Sequence, residues 1–257
     1  MAVQTPFQLK GKRILVTGAS SGLGRHFAQT LAAAGARVLV GARRIAQLER
    51  LVAEITGLGG HAAAVELDVT SRDSVSAALD HLCDLWGGVD VVVNNAGVSD
   101  TKSVLNYNDD DWDTILDTNL KGAWIVAQEA ARRMVSAGNG GNIVNITSIL
   151  GNRVGGGVGP YSAAKAGLAH LTRSMALELA RYDIRVNALA PGYVITEINK
   201  ELLESSIGER LRMRIPTRRF CAFEDLEGPL LLLASDASRA MTGAEIVVDN
   251  GHSCSGL

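Results

Sequence analysis

The sequence predicts a doubly wound α/β fold, in which a seven-stranded parallel sheet carries helices on both faces. Short, almost wholly apolar runs alternate with longer segments of helical periodicity, and this alternation is typical of βαβ units in one sheet. The runs lack the alternating polar positions of half-exposed strands, as expected for a parallel sheet that is buried on both faces. No linker or repeat interrupts the 257 residues, so we predict a single domain over residues 1–257.

Four strands and four helices are predicted in the first half of the chain. The strands lie at residues 14–17, 38–40, 62–67 and 89–93, and the helices at residues 22–34, 45–58, 71–86 and 109–137. Leu48, Leu51 and Ile55 show the helical period of the second helix. Ser71 is expected to be the N-cap of the third helix. Three aspartates at residues 109–111 suit the start of the fourth because they complement the helix dipole.

The second half of the chain contains three further predicted strands, at residues 143–147, 184–189 and 244–248, and a helix at residues 160–182. Pro160 suits the first turn of this helix, where an N–H would lack an intrahelical partner. After the sixth strand comes an apolar stripe with helical spacing, which is expected to face either a binding site or the core. Its residues are Ile198, Leu202, Leu203, Ile207 and Leu211.

Composition and charge exclude several classes of protein. The formal net charge is −2, which argues against a protein built around nucleic acid or an anionic membrane. Cys83, Cys221 and Cys254 are odd in number and far apart, so they indicate neither a disulfide framework nor a metal site and suit a reducing compartment. The histidines also lack ligand spacing, and no metal site is predicted. Without a membrane-length apolar run or a signal-peptide core, we expect a cytoplasmic protein.

The octapeptide TGASSGLG, residues 17–24, connects the first strand to the first helix. Its glycines permit a tight turn and let backbone N–H groups approach a pyrophosphate at the helix N-terminus. The spacing GxxxGxG differs from the commoner GxGxxG, and a purely structural turn is the alternative. Its position after the first strand of an alternating chain favours a dinucleotide site, whose predicted residues here are Gly18, Ser20, Ser21, Gly22, Leu23 and Gly24.

The end of the second strand bears on which dinucleotide is bound. NAD-dependent enzymes usually place an acidic residue there, which binds the ribose 2′-OH, whereas this chain has Arg43 and Arg44. Two guanidinium groups favour a 2′-phosphate, so NADP(H) is predicted over NAD(H), with Arg43 the stronger candidate. The alternative is that both arginines are solvated at the start of the next helix. Asp68, after the third strand, is expected to accept from the adenine amino group, to cap the following turn, or to do both.

Tyr161 and Lys165 are four residues apart on one predicted helix, so they project from the same face. An ammonium within ~4–6 Å lowers the pKa of a tyrosine, which is ~10 in water. Tyr161 could then exchange a proton with an alcohol or a carbonyl. Ser148 ends the fifth strand, where such sheets bind ligands, and its hydroxyl could stabilise negative charge on a carbonyl oxygen. Taken singly, a surface Tyr-Lys pair and a strand-end cap are the ordinary alternatives.

Together these motifs resemble the short-chain dehydrogenase/reductase family, in its single-domain form of about 250 residues. The resemblance covers residues 11–251 and consists of six elements in order: TGASSGLG, the NNAG sequence at residues 94–97, Asn119, Ser148, the YSAAK sequence at residues 161–165, and Pro191 with Gly192. It implies a Rossmann-type sheet and hydride transfer between a nicotinamide and a carbonyl/alcohol pair.

The resemblance also implies a role for each matching residue. Tyr161 would donate the proton in reduction and Ser148 would orient the substrate oxygen. Lys165 would lower the pKa of Tyr161 and hold the nicotinamide ribose, and Asn119 would anchor a water that extends the proton relay. Further cofactor contacts are expected at Asp68, Val69, Asn95, Ala96, Gly97, Pro191, Gly192, Val194 and Thr196. Neither Ser20 nor Ser21 is basic, unlike the residue found there in some NADP-linked members, which keeps NAD as an alternative.

A mobile substrate lid at about residues 195–216 and a homotetramer are likewise implied. In the tetramer the helix of Tyr161 and the helix that begins at Asp109 would pack against partner subunits. The small residues Ala163, Ala164, Ala166, Gly167 and Ala169 suit close helix approach, and residues 253–257 are a further candidate for a subunit contact.

The substrate stays open between a 3-oxoacyl thioester, a sugar or polyol, and a bulky cyclic ketone. Arg153, in a glycine-rich loop at residues 151–159, could meet an anionic group or simply be solvated. The cluster of Arg210, Arg212, Arg214, Arg218 and Arg219 could receive a carrier protein or coenzyme A phosphates, or form a solvated face or subunit contact. Two alternatives to an NADP-dependent reductase are an NAD-dependent alcohol dehydrogenase of the same family and a non-catalytic dinucleotide sensor. A sensor would have no need for Ser148, Tyr161 and Lys165 together.

Overall fold

The computed structural model describes residues 7–197 and 199–254, and its central feature is a parallel sheet of seven strands. In chain order these are β1 Arg13–Thr17, β2 Arg37–Ala42, β3 His61–Glu66, β4 Val91–Asn94, β5 Gly141–Ile146, β6 Ile184–Pro191 and β7 Glu245–Val248. Their spatial order is β3-β2-β1-β4-β5-β6-β7, and every neighbouring pair is parallel. The predicted doubly wound sheet is confirmed. The order reverses between β1 and β4, and open α/β sheets bind ligands at such a point.

The helices lie between the strands as the alternation predicted. They are α1 Gly22–Ala33, α2 Ile45–Gly57, α3 Arg72–Trp86, α4 Asp109–Leu116, α5 Ala123–Ala137, α6 Gly159–Leu179, α7 Lys200–Leu203, α8 Ser206–Arg212 and α9 Glu227–Ala234. Ser71 caps α3 as predicted, because its side chain accepts a hydrogen bond from the Ser74 N–H at 3.3 Å. In the described part of the chain, no helix has the length and apolar character needed to cross a membrane.

Alternate residues of the central strands pack on opposite faces of the sheet. Ile14 and Val16 of β1 lie in one core, with Phe27 of α1 and side chains of α2 and α9. Leu15 lies in the second core, with Leu79 of α3 and side chains of α5. All of these side chains are fully buried. Burial on both faces explains why the strands are apolar throughout, and it leaves the strand ends as the place for polar groups.

The helix predicted over residues 109–137 is interrupted in its middle. A π-helical segment, Asp117–Gly122, separates α4 from α5 and contains the buried Asn119. Extra residues inserted in this way into an α-helix occur frequently at functional sites. At the start of α4, Asn108 accepts from the Asp111 N–H and Asp111 reciprocates, which forms a capping box that the aspartate run alone did not predict.

Candidate active site

A cleft of about 2160 Å³ runs along the carboxyl edge of the sheet. Every residue that was predicted to contact the cofactor lines it, as do Ser148, Tyr161 and Lys165. Asn119 is the one predicted site residue that does not. The strand order explains this convergence, because the loops that follow β1, β2, β4, β5 and β6 all leave the sheet at the same edge.

The glycine loop after β1 packs tightly against the loop after β4. Thr17 Oγ1 accepts hydrogen bonds from the N–H groups of Asn95 and Ala96, each at 3.1 Å. Gly18 has a φ of +67°, and a Cβ on it would lie 2.7 Å from the Ala96 Cα. A Cβ on Gly24 would lie 2.3 Å from the Asn95 Nδ2. These positions therefore accept only glycine without rearrangement, and the contact joins two predicted cofactor segments into one surface.

The N-terminus of α1 faces this surface, and no side chain caps its first N–H groups. Ser21 occupies the N-cap position but makes no capping hydrogen bond. Its hydroxyl instead accepts from Arg44 Nη2 at 2.8 Å, and that of Ser20 accepts from the same nitrogen at 2.9 Å. The first N–H groups of a helix have no intrahelical partners and attract anions. The uncapped N–H groups and the serine hydroxyls form a site that fits a pyrophosphate, so the residues present suit a dinucleotide.

Arg43 and Asp68 also line the cleft. Asp68 Oδ1 accepts from the Thr70 N–H at 2.9 Å and from its hydroxyl at 2.8 Å, which confirms the predicted capping of the turn. These two hydrogen bonds lower the pKa of Asp68, and the charge of Arg43 lowers it further. Arg43 and Arg44 are both exposed at the mouth, where either can meet a ligand without displacing an ion pair within the described residues.

The fold brings Ser148, Tyr161 and Lys165 together at the end of β5. Ser148 follows the strand and is buried, and its hydroxyl lies next to the Tyr161 phenol. Lys165 Nζ lies 5.6 Å from the centroid of the Tyr161 ring and donates to the Ile146 carbonyl oxygen at 2.7 Å. Gly151 explains how the loop approaches α6, since a Cβ there would lie 3.1 Å from the Ala166 nitrogen. The structure thus brings these three predicted residues to one cleft.

Burial shifts the pKa values of both Tyr161 and Lys165. Burial raises the pKa of Tyr161, the Ser148 hydroxyl opposes this shift, and neighbouring Tyr193 adds to it. Burial also lowers the pKa of Lys165, to about 8. Burial dominates both shifts, because removal from water disfavours the phenolate as well as the ammonium. Tyr161 therefore holds its proton at neutral pH. The lowering of the Tyr161 pKa by Lys165 stays a prediction.

Asn119 is placed behind the wall of the cleft. Its Nδ2 donates to the Val98 carbonyl oxygen and its Oδ1 accepts from the Val98 N–H, both at 2.7 Å. A Cβ on Gly97 would lie 2.9 Å from the same Oδ1. This two-point contact holds the loop after β4 in place, a positioning role that was not predicted from the sequence.

The far end of the cleft, beyond Tyr161, contains residues that the sequence did not single out. The Tyr193 ring lies 5.7 Å from the His252 ring, centroid to centroid, and both residues line the cleft. Tyr193 stands directly after the Pro191-Gly192 pair, and that position was the only signal in the sequence that could have identified it. His252 comes from the last segment of the chain, and no motif indicated it.

The predicted lid and basic cluster divide between the cleft and the surface. Leu202, Leu203, Ile207 and Leu211 of the apolar stripe line the cleft, while Ile198 lies outside the described residues. Arg212 pairs with Glu209 and Arg219 with Asp225, each at 2.6 Å, as expected for a solvated face. Arg214 and Arg218 line the cleft instead, as does Arg153.

Comparison with known proteins gives consistent results over nearly the whole chain. The model of the family described as enoyl-(acyl carrier protein) reductase matches residues 18–253. L-rhamnose 1-dehydrogenase (NAD(P)(+)) of Azotobacter vinelandii is 41% identical over 247 residues, which are 93% of this chain and 96% of that protein. The 3-oxoacyl-(acyl carrier protein) reductase of Thermotoga maritima is 38% identical over 244 residues, 95% of this chain and 98% of that protein.

A solved structure adds a comparison of the fold. The crystal structure of a gluconate 5-dehydrogenase from Burkholderia cenocepacia, in complex with NADP and tartrate, matches with a TM-score of 0.94 and 34% identity over 98% of each chain. These relatives are dehydrogenases and reductases, and the matched region contains the glycine loop and the Ser148, Tyr161 and Lys165 group. The chain therefore belongs to the short-chain dehydrogenase/reductase family of NAD(P)-dependent oxidoreductases.

Proposed function

We propose that this protein interconverts a secondary alcohol and the corresponding ketone of a small molecule, with NADP(H) as the preferred cofactor and Tyr161 as the group that exchanges the proton. The observation that carries the proposal is the junction of Ser148, Tyr161 and Lys165 at one point of a cleft that also contains the glycine loop. A non-catalytic sensor would need the loop but not this group, so the arrangement favours an enzyme.

Each of the three side chains has a part in moving the proton. Tyr161 keeps its proton at neutral pH because burial raises its pKa, so it is ready to protonate a ketone oxygen during reduction. The Ser148 hydroxyl lies beside the phenol, where it can hydrogen-bond the same oxygen and stabilise its developing charge. Lys165 uses one N–H on the Ile146 carbonyl oxygen and keeps two further donors for a ribose. A bound nicotinamide would supply or accept the hydride.

Asn119 is proposed to support this relay from behind the wall. By holding Val98 through two hydrogen bonds, it fixes the NNAG loop that is proposed to contact the cofactor. Asn119 is also proposed to anchor a water that extends the proton relay, because the π-helical turn that contains it alters the backbone hydrogen-bond register.

The preference for NADP(H) is supported by the charge at the mouth of the cleft. Arg43 and Arg44 are exposed there, and a guanidinium binds a phosphate through paired, charge-assisted hydrogen bonds. Arg44 donates hydrogen bonds to the two serines of the glycine loop, and Arg43 lies near Asp68. One relative is named for both NAD(+) and NADP(+), and the Burkholderia structure contains NADP.

Replacement of Tyr161 by phenylalanine tests the proposed catalysis. We expect Tyr161→Phe to lower kcat by about 10²- to 10⁴-fold, the usual contribution of general acid–base catalysis, because only the hydroxyl is removed. The measurement is NADPH consumption with a panel of ketones, together with NADPH affinity from its fluorescence, which should stay the same. Tyr182→Phe is the control, since Tyr182 is exposed and does not line the cleft. Unchanged turnover in Tyr161→Phe would remove the proposed acid.

Replacement of the two arginines tests the proposed cofactor preference. Arg43→Ala and Arg44→Ala should each weaken NADPH binding at least about tenfold and leave NADH binding nearly unchanged, since one or more charged hydrogen bonds to the 2′-phosphate are lost. Arg50→Ala is the control, because Arg50 is exposed on α2 but lies outside the cleft lining. Equal losses for both cofactors would show that neither arginine binds the 2′-phosphate.

The proposal includes a homotetramer in the cytoplasm. Exposed residues of α6 recur at helical spacing, namely Ala163, Ala166, His170, Arg173 and Leu177. Trp112 of α4 and Trp124 of α5 are also exposed, and aromatic groups are enriched at subunit interfaces. The other small residues of α6 pack within the chain itself, as Gly167 shows: a Cβ on it would lie 3.0 Å from Leu120. The cytoplasmic location remains an inference from composition.

A further inference from the structure

The end of the cleft beyond Tyr161 is lined by three arginines as well as by lid leucines. Arg153 comes from the loop after β5, and Arg214 and Arg218 come from the segment that follows α8. Positive side chains from two separate segments thus face one space. Tyr193 and His252 line the same cleft, and their ring centroids lie 5.7 Å apart.

The position of Arg153 relative to the catalytic group follows from the backbone. The Arg153 N–H donates to the carbonyl oxygen of Ile149, the residue next to Ser148, at 2.8 Å, so the backbone of Arg153 lies one turn of the chain beyond Ser148. The guanidinium turns toward His252, since its Nη1 donates to the His252 carbonyl oxygen. This contact holds Arg153 in a defined position at the substrate end of the cleft.

Carboxylates also line the cleft, namely Asp68, Asp100, Asp110, Asp113, Asp117 and Glu197. Arg214 forms no ion pair with any described residue. The Asp249 carboxylate, next to His252, accepts from the N–H groups of Gly251 and Ser253 at 2.9 and 2.6 Å. Glu197 is the acidic residue of the lid that lines the cleft. Burial lowers the pKa of His252, and the charges of Arg153 and Arg214 lower it further, which agrees with a positive potential here.

We propose that the substrate carries an anionic oxyacid group, a carboxylate or a phosphate, a few bonds from the carbon that is oxidised, and that Arg153 and Arg214 bind this group. The inference rests on the proposed function, because Tyr161 defines where the reacting carbon lies. Guanidinium groups bind both anions through paired hydrogen bonds. The charge of Arg153 acts on Tyr193, which neighbours Tyr161. A compact substrate can therefore reach both groups, whereas the phosphate of a long carrier arm would be far from the reacting carbon.

Equilibrium binding of matched probes tests the anion site. The probes are D-gluconate, D-glucitol 6-phosphate and D-glucitol, which differ in carrying a carboxylate, a phosphate or neither group. We expect calorimetry on the complex with NADP⁺ to show that one of the two anions binds at least about tenfold more tightly than D-glucitol. The anion that binds more tightly identifies the source of the charge.

Variants assign this preference to the two arginines. Arg153→Gln and Arg214→Gln should each reduce the preference for the anion about tenfold or more, and Arg153→Lys should retain part of it. Arg210→Gln is the matched control, since Arg210 is an exposed residue of α8 outside the cleft lining. NADP⁺ affinity and Tm should be the same in all four variants, which separates loss of charge from damage to the loop.

The inference would be overturned if D-glucitol bound as tightly as both anions, or if neither anion bound. It would also be overturned if Arg153→Gln and Arg214→Gln kept the full preference for the anion over D-glucitol. Failure of the proposed function has a different signature, namely turnover of alcohols or ketones that survives Tyr161→Phe. The two outcomes are independent, because the first is a binding measurement and the second a rate.

Discussion

Lys165 is a charged side chain that the protein keeps buried, with 4% of its surface exposed. Its only hydrogen bond within the described residues goes to the Ile146 carbonyl oxygen, which is neutral and compensates the charge incompletely. The pKa of Lys165 falls to about 8 for this reason. The residue thus lowers stability when charged, and its retention next to Tyr161 agrees with a functional role.

The burial of Lys165 predicts a specific dependence of stability on pH. Its pKa in the fold is about 8, below the ordinary value of 10.5, so between these pH values the unfolded chain binds more protons and stability rises with pH. Relative to Lys165→Met, the free energy of unfolding of the wild type should increase by about 1.6 kcal/mol between pH 8 and 9.5. Urea denaturation without added nucleotide measures this difference.

A matched substitution separates burial from the general effect of pH. Lys10→Met replaces an exposed lysine, so the difference between this variant and the wild type should stay nearly constant over the same range. If the difference for Lys165→Met were also constant from pH 7 to 9.5, Lys165 would remain charged throughout, and the pKa of about 8 would be wrong.

Individual residues show where inference from sequence reaches its limit. The spacing of Tyr161 and Lys165 predicted a shared pocket because helix geometry fixes which residues lie on one face. That burial raises the pKa of Tyr161 could not be predicted from this spacing, because burial depends on the whole fold. The contact of Arg44 with Ser20 and Ser21 also joins two segments, and no local pattern encodes such a contact.

At the start of α1, helix propensity and packing favour different residues. Alanine favours a helix over glycine by about 1 kcal/mol, so propensity alone would favour Ala at position 24. A Cβ there would lie 2.3 Å from the Asn95 Nδ2 and 2.4 Å from the Gly18 carbonyl oxygen, and neither group can move without disturbing the loop. Packing therefore decides the residue at this position.

Two glycine-to-alanine variants test this balance. Gly24→Ala should destabilise the protein by about 1–3 kcal/mol, as overpacking usually does, and should weaken NADPH binding. Gly228→Ala should stabilise it by up to about 1 kcal/mol, because Gly228 is also in the first turn of a helix but has open space around it. Thermal and urea denaturation give both values. Equal changes in the two variants would show that the clash at position 24 is relieved at no cost.

The elements differ in how well sequence patterns predicted them. α2 was predicted with nearly the observed bounds because one of its faces is apolar and the other exposed. α9 was missed, since its four consecutive leucines, residues 230–233, show no period. The helix packs against α1 and β5. Leu230 and Leu233 are buried and the two leucines between them are partly buried, so the segment shows no alternation of apolar and polar faces.

For the whole molecule, the exposed face of α6 predicts where subunits meet. Leu177 is 83% exposed on that face, and an aspartate there would have to be buried in the proposed tetramer at a high cost. Leu177→Asp should therefore shift the protein to smaller species in light scattering, from the tetramer of 27.0 kDa chains, with unchanged circular dichroism. Leu58→Asp is the control, because Leu58 is 88% exposed after α2, outside the proposed interface. A tetramer that persists in Leu177→Asp would exclude this face.

The division of the cleft along the chain has a consequence for how new specificities arise. The loops after β1, β2 and β4 form the end that suits the dinucleotide, while residues 151–158 and 202–218 form much of the remaining lining. Successive mutations confined to those two later stretches can remodel what is recognised without altering the turn that accommodates the pyrophosphate. This separation gives a physical reason why proteins 38% and 41% identical to this chain are named for an acyl thioester and for rhamnose, respectively.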